Sequence, residues 1–427
     1  MEHDALPLLF FLSNLQSEIL NLQSFMPHIT PEVEAFARIK VIGVGGCGGN
    51  AVNHMIASKV HGVEFMVMNT DVQDLHKSSA KKRIHLGKNL TKGLGAGMNP
   101  DTGTRAAEET KSEIQDAIKG SDMVFIAAGM GGGTGTGAAP TIARISKEVG
   151  ALTVAVVTKP FFFEGTQRMK IAEAGLRALR EEVDALIVIP NDRLLAIIKK
   201  EVTASHAFAM SDDVLRQAVE GISDLITMPG IINVDFADIR AIMANAGSAL
   251  MGIGKATGEK RAEEAAKMAI NSPLLDLSIN GAKGVLFTIA GGADLTMFEI
   301  QEAAKVITES IDSEAKVIFG AVNDTKLGKS ELKVTVIASG FPENGNLNHT
   351  GLTPVIGSGS TNSNGGNGAT EKPKKKAVID TGGNGASHSV PFRKEPPVQN
   401  AHIEDAPEVE DDDDWNAAIP AFLRRKK

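Results

Sequence analysis

The segment Gly131-Gly132-Gly133-Thr134-Gly135-Thr136-Gly137 has the residue types and spacing to hold a chain of phosphates. Glycines let the backbone approach a ligand and turn its N–H groups inward, and the two threonines add hydroxyl donors. The segment follows the apolar run Val124-Phe125-Ile126 and precedes a helical pattern, so a helix N-terminus would add positive potential. A flexible linker is the bland alternative, and the strand–helix context argues against it. A second loop, Gly43-Val44-Gly45-Gly46-Cys47-Gly48-Gly49-Asn50, stands in the same context. It contains Gly43-x-Gly45-x-x-Gly48, with Asp71 23 residues beyond Gly48. That spacing is close to a dinucleotide fingerprint, so a NAD-binding oxidoreductase is a competing reading. A third stretch, Gly93-Leu94-Gly95-Ala96-Gly97, makes three loops. On one edge of a parallel sheet they suit a triphosphate better than a bridging pyrophosphate.

Other residues carry weaker signals. Asp235 and Asp238 are three apart, so on a helix both carboxylates lie on one face and could polarise a water as general base or orienting groups. Read by themselves they fit a helix start equally well, because Asp favours N-terminal positions. Gly328-Lys329-Ser330 imitates the end of a P-loop, but Asn323 stands where the first glycine is needed and a strand pattern follows. Cys47 has no cationic neighbour in sequence to lower its pKa and reads as a small residue tolerated in a loop. His54, His61, His76 and His85 have no repeated metal-ligand spacing.

The elements that must position these residues follow from the hydrophobic pattern. Apolar runs at Ile39–Val44, Val63–Met68, Met123–Ala128, Leu152–Val157 and Ala185–Ile189 alternate with helical stretches at 50–58 and 138–149. This is the signature of an α/β fold with a Rossmann-like, doubly wound parallel sheet, whose strands are buried on both faces. A long helix is expected over Asp212–Met228, with Ser211 as its N-cap and Pro229-Gly230 as its stop. Its apolar arc is wide enough to be buried between two units. A second α/β region follows at 231–340, with helices over 235–251, 260–271 and 296–311 and strands over 284–290, 315–322 and 332–339. The domains are therefore a leader at 1–37, a nucleotide domain at 38–210, a central helix at 211–230, the second α/β domain at 231–340, a disordered linker at 341–414 and a terminal peptide at 415–427. The linker assignment rests on composition, since 34 of the 60 residues in 341–400 are Gly, Pro, Asn, Ser or Thr.

Composition narrows the function classes. The chain has 427 residues, a net charge of -8 and 4% aromatics, with no Tyr, which disfavours nucleic acid as a partner. One cysteine excludes an internal disulfide framework and fits a reducing, cytoplasmic setting. The leader's apolar run Leu6–Leu12 lacks a basic flank and reads as no targeting signal, and no stretch approaches the ~20 apolar residues of a membrane span.

These motifs together resemble a known family. Gly131 to Gly137 matches the GGGTG[ST]G signature of the tubulin/FtsZ superfamily, and the other two glycine loops with Asn233-Val234-Asp235-Phe236-Ala237-Asp238 resemble its bacterial FtsZ branch. The resemblance runs from Arg38 to Ser339 and returns at Ile419-Pro420-Ala421-Phe422-Leu423-Arg424-Arg425. It implies a GTPase that polymerises head to tail into protofilaments of the mid-cell division ring. Backbone amides at Gly46, Cys47, Gly48, Gly49 and Asn50, and at Gly133, Thr134 and Gly135, would hold the phosphates, with Ala96 and Gly97 near the γ-phosphate. Glu164 and Arg168 match positions that contact ribose and phosphate. Phe208 would stack near guanine, whose edge would be read by Asn50 with either Asp212 or Asp213. Asn233, Asp235 and Asp238 would complete the site of the next subunit, so that hydrolysis requires assembly. With no Walker lysine, phosphate charge must be met by amides, helix N-termini and a metal, Mg²⁺. A non-catalytic filament-forming paralogue is the remaining alternative, and it would tend to lose Asp235 and Asp238. In the tail, Ile419, Phe422 and Leu423 at helical spacing could enter a partner's groove, and Arg424 to Lys427 could touch anionic lipid. The resemblance implies a membrane-tether partner such as FtsA or SepF for Ile419 to Lys427.

Overall fold

The computed structural model describes residues 37–197, 203–275, 279, 281–324 and 326–341. Apart from Ala37 and Phe341, the expected leader, linker and terminal peptide lie outside these residues. Ten strands form one sheet: β1 (Ile39–Val44), β2 (Val63–Asn69), β3 (Lys82–His85), β4 (Met123–Gly129), β5 (Leu152–Lys159), β6 (Ala185–Pro190), β7 (Gly247–Thr257), β8 (Gly284–Gly291), β9 (Lys316–Asn323) and β10 (Glu331–Ser339). The helices of the first half are α1 (Gly45–Ala57), α2 (Val72–Lys77), α3 (Lys88–Thr91), α4 (Pro100–Glu109), α5 (Lys111–Ile118), α6 (Thr134–Glu148), α7 (Thr166–Glu182) and α8 (Asn191–Ile197). They are followed by α9 (Ala204–Thr227), α10 (Phe236–Met243), α11 (Arg261–Ile270) and α12 (Met297–Thr308).

The strand order is β3-β2-β1-β4-β5-β6-β7-β10-β8-β9. The first six strands are parallel and in the doubly wound order, so a crevice opens at their C-terminal edge beside β1 and β4. Burial on both faces explains the uninterrupted apolar runs. Along β1, Val41 joins a core that includes Val52 of α1 and Leu215 of α9, while Ile42 and Val44 join another with Ile142 of α6 and Leu176 of α7. A third core unites Ala262 and Ala266 of α11, Phe287 of β8, Ile300 of α12 and Val334 of β10. Arg261, buried at the start of α11, pairs with Asp294 at 2.8 Å and with Glu299 of α12 at 2.6 Å.

The two halves of the sheet meet at a short seam. β6 and β7 are in register over only three pairs: Ala185 with Gly247, Leu186 with Ser248 and Ile187 with Ala249. Beyond the seam, β10 runs antiparallel to both β7 and β8. Asp184 anchors one end, its carboxylate accepting from Thr153 N and Asn245 N and its carbonyl from Gly247 N.

The structure corrects four expected elements. The central helix begins at Ala204, capped by Thr203, rather than at Asp212. Ser211 lies inside it and donates its hydroxyl to Asn191 Oδ1 at 2.9 Å, so it is not a cap. The single helix expected over 235–251 is α10 followed by β7. Asn245 and Gly247 adopt positive φ and end the helical path. Gly252 then lets α11 lie directly on the strand, since a Cβ there would fall 2.0 Å from Ala269 O. Both phosphate-type glycine segments are themselves first helical turns: α1 starts at Gly45 rather than near Asn50, and α6 at Thr134 rather than near Ala138.

Candidate functional site

Parallel strands end where their following helices begin, so the first turns of α1 and α6 open side by side into one cleft of about 450 Å³. Each helix start leaves backbone N–H groups without intrahelical partners and carries the positive end of the helix dipole. Gly46, Cys47 and Asn50 line the cleft from α1, and Gly133, Thr134 and Gly135 from the α6 loop. Glu164, Arg168, Phe208 and Asp212 complete the set of sequence-expected residues that meet there. Arg168 pairs with Glu164, whose other oxygen accepts from Phe161 N at 3.0 Å. Thr134 and Thr70 share a hydroxyl hydrogen bond of 2.6 Å, linking the second strand's end to the α6 turn. Phe208 stands edge-on to the buried Phe161 at 5.3 Å, and Phe163 stacks on Phe161 at 5.0 Å.

The two adjacent aspartates part company. Asp212 faces the cleft, and burial, opposed by the charge of His54, pushes it up to about 6. Asp213 lies outside the lining of this cleft and bonds Arg216 at 2.8 Å, Gln217 at 2.6 Å and His54 at 3.3 Å. Burial would raise its pKa, but the hydrogen bond and charge of Arg216, with His54 and Gln217, hold it below the usual carboxylate range. Burial, with the nearby Asp212, pushes the Cys47 thiol up to about 12, although Thr158 Oγ1 lies 3.8 Å from its sulfur.

Several expected residues are not part of the lining. Gly48 is buried in α1, where a Cβ would fall 2.2 Å from Ala127 O, and Gly49 packs on Val67. At Gly48 the lack of a side chain serves the close approach of α1 to the sheet, while Gly49 has room for a Cβ. Ala96 sits against Gly133, so the third glycine loop touches the second, while Gly97 is exposed with a φ of 57°. Asn233, Asp235 and Asp238 are exposed and elsewhere: Asn233 Oδ1 accepts from Gly230 N at 2.7 Å, and Asp235 caps α10 by accepting from Ala237 N at 3.3 Å. No described residue of 231–341 lines the cleft.

The cleft also holds residues the motif reading missed. Asn191 and Ser211, hydrogen-bonded to each other, line it beside Asp212, and Thr158 and Pro160 line it from the end of β5. The signal for Asn191 was position, since it directly follows a parallel strand at the edge where such folds bind ligands. For a metal, no cluster of three or more His, Cys, Asp or Glu exists among the described residues. Asp74 is nevertheless well placed, its Oδ2 lying 3.1 Å from where a Cβ on Gly46 would be and accepting from Asn69 Nδ2 at 2.9 Å. One carboxylate beside a phosphate loop fits Mg²⁺, which is usually shared between a carboxylate, waters and substrate phosphates.

Two helix N-termini converging on the edge of a doubly wound sheet, with no lysine among the described lining residues, define a nucleotide-binding protein that cradles phosphates with backbone amides. Comparison with known proteins is specific. Residues 38–199 match the Tubulin/FtsZ family GTPase domain and residues 247–342 the FtsZ family C-terminal domain. An empty FtsZ dimer from M. jannaschii is 45% identical over 76% of this chain and 92% of that one, with a TM-score of 0.69. A point mutant of the M. jannaschii FtsZ gives 45% identity over 77% and 96%, with a TM-score of 0.70. CetZ2 from Haloferax volcanii, a GTPγS-bound protofilament, shares the fold at 20% identity, covering 72% of this chain and 94% of that one, with a TM-score of 0.61. The chain belongs to the tubulin/FtsZ family of GTPases and binds guanine nucleotide. No described helix is long and apolar enough to cross a membrane.

Proposed function

We propose that this GTPase assembles head to tail into protofilaments of a cytoplasmic, mid-cell division ring and hydrolyses GTP at the junctions between subunits. The observation that carries the reading is the separation of parts. The cleft has the means to hold phosphates, while Asp235 and Asp238, the acids suited to handling water, are exposed on α10 and absent from the lining. A neighbouring copy would bring its Asp235 and Asp238, with Asn233 beside them, to the open face of the cleft. Exposed Phe162 and Phe163 near the cleft, and exposed Met297 and Phe298 at the start of α12, supply the apolar surface such a junction needs.

Within the cleft, amides of Gly46, Cys47, Gly133, Thr134 and Gly135 would bind the phosphates, and Arg168 would add charge at the sugar–phosphate end. Ala96 and Gly97 would approach the terminal phosphate through their loop. Phe208 would stack on the base, while Asp212, Asn191 and Asn50 accept and donate at its edge. Mg²⁺ would be held through Asp74 and would neutralise phosphate charge. The donated carboxylates would orient and polarise the attacking water. The working units are the nucleotide half (38–210), the helix at 211–230 and the half at 231–340, with Ile419 to Lys427 as the peptide for a membrane tether of the FtsA or SepF kind. The presence of both acids favours this reading over a non-catalytic paralogue.

The test is GTP hydrolysis per subunit against protein concentration, with Mg²⁺, for wild type and Asp238→Ala. The proposal expects a threshold concentration in wild type, and in the variant loss of turnover with GTP binding retained. Turnover per subunit that is constant down to the lowest concentration would mean one chain holds the complete site.

A further inference from the structure

Lys326, in the turn between β9 and β10, reaches two of the helices that wall the cleft, α1 and α9. Its ammonium donates to the carbonyls of Ser58 and Lys59 at 3.4 Å each and to Glu220 Oε1 at 3.0 Å. Ser58 is the C-cap of α1, the helix whose opposite end presents Gly46 and Cys47 to the cleft. Glu220 belongs to α9, and its side chain is only 5% exposed. A cation at a helix C-terminus meets carbonyls that lack intrahelical partners and the negative end of the dipole. Around Glu220 three cations gather, with the half-buried Asp224 nearby, whose carboxyl is pushed up to about 7 by burial and the charge of Glu220. Lys333 of β10 lies 3.7 Å from Oε2, and Arg216 pairs Glu220 with Asp213, which meets His54 of α1. Burial would raise the Glu220 carboxyl, but Lys333, Lys326 and Arg216 hold it below the usual range. α1 and α9 are thus tied twice near the far end of α1, by Asp213 to His54 in its last turn and by Lys326 at its C-cap.

We infer that Lys326 is a positioning residue for the nucleotide, clasping the far end of α1 to α9 so that the phosphate turn at Gly46 and Cys47 keeps its spacing from Phe208 and Asp212. It acts from a distance, since the twelve residue steps from Gly46 to Ser58 span about 18 Å of helix, and it is not part of the cleft. Because Lys326 belongs to the half that carries Asp235 and Asp238, nucleotide affinity also answers to where that half sits. The inference rests on the nucleotide reading of the cleft.

The experiment compares full-length wild type, Lys326→Met and Lys326→Arg, with Lys305→Met as a surface-lysine control. It measures the Kd for GDP and GTPγS, and KM and kcat for GTP at saturating protein, with circular dichroism to fix the folded fraction. Lys326→Met is expected to raise Kd and KM about fivefold with kcat unchanged, the size of effect typical of a network residue that touches no ligand. Lys326→Arg, which can still donate to carbonyls and Glu220, is expected to stay within about twofold of wild type. An unchanged Kd in Lys326→Met overturns the inference. So does an equal loss in Lys326→Arg, or a loss explained by the folded fraction alone. Wild type that binds no guanine nucleotide would instead overturn the reading of the cleft.

Discussion

Lowering the pH through 6 should weaken guanine-nucleotide binding to the wild-type chain more than to an Asp212→Asn variant. Burial pushes Asp212 up to about 6, so its carboxylate takes up a proton within an accessible range. The edge of guanine offers two N–H donors, and only the ionised carboxylate accepts from both. If binding needs that form, about one molecule in eleven is competent at pH 5, and Kd should rise about tenfold between pH 7.5 and pH 5. At pH 7.5 the Asn replacement itself should weaken binding by about 1.5–3 kcal/mol, the usual worth of a hydrogen bond to a charged group. The assay is equilibrium titration of GDP at pH 7.5, 6.5, 5.5 and 5.0 with both chains. The phosphates titrate near pH 6 as well, and that contribution cancels in the comparison. A flat wild-type profile, or the same slope in Asp212→Asn, would refute the role of Asp212. Without nucleotide the sign reverses. A raised native pKa means that ionised Asp212 opposes folding at neutral pH, so Asp212→Asn should melt higher at pH 7.5. The gap should close as the pH falls through 6 toward 4.

Three further outcomes follow from the same contacts. Asp235→Ala should lose about 1 kcal/mol in urea unfolding because the α10 cap is gone, while Asp235→Asn keeps the cap; both should lose assembly-dependent turnover, separating the structural role of this residue from its chemical one. Cys47, with its thiol pushed up to about 12, should react with a soluble disulfide reagent at pH 7.5 at least about a hundredfold more slowly than free cysteine. A free-thiol rate in the folded chain would contradict the raised pKa of its thiol. Arg261→Ala removes a buried guanidinium and leaves the half-buried Glu299 without its ion-pair partner, and should destabilise the chain by about 1.5–3 kcal/mol in urea melts; a loss under about 1 kcal/mol would show that the pair contributes little net stability.

Much of the first half was legible because its signals were local. Val124-Phe125-Ile126 before Gly131 to Gly137 specifies strand, turn and helix within fifteen residues, and the family resemblance rested on such runs. What escaped were features settled by tertiary contact. The start of α9 is fixed by Thr203 and by the Ser211–Asn191 bond across the chain, not by the Asp pair that looked like a first turn. β7 reads as helix by composition, and it is a strand because β6 and β10 flank it and α11 lies on Gly252. β3 is four residues with two charges, too short to announce itself. At the site, motif spacing found the phosphate turns but could not separate Asp212 from Asp213, because a one-residue step on a helix is a rotation of about 100° and its consequence depends on what stands on each side.

The seam between β6 and β7 gives this chain an uneven load path. Nine strand-to-strand joints make the sheet continuous, yet one of them is only three residue pairs long, about 10 Å of strand at ~3.3 Å per residue. Between the halves, tension along the strands falls on those few hydrogen bonds and on Asp184 at their end. The rest crosses through α9, through a shared core in which Val154 and Ile187 join Ile239, Met243 and Met251, and through Arg240, which donates to Gly150 O. Beyond the seam most of β7 is fastened to β10, so the ladder of either half is stronger than the joint between them. The two halves are therefore joined like boards that are sparsely stitched but well glued: a load across the seam meets a short ladder first and then a shared apolar core.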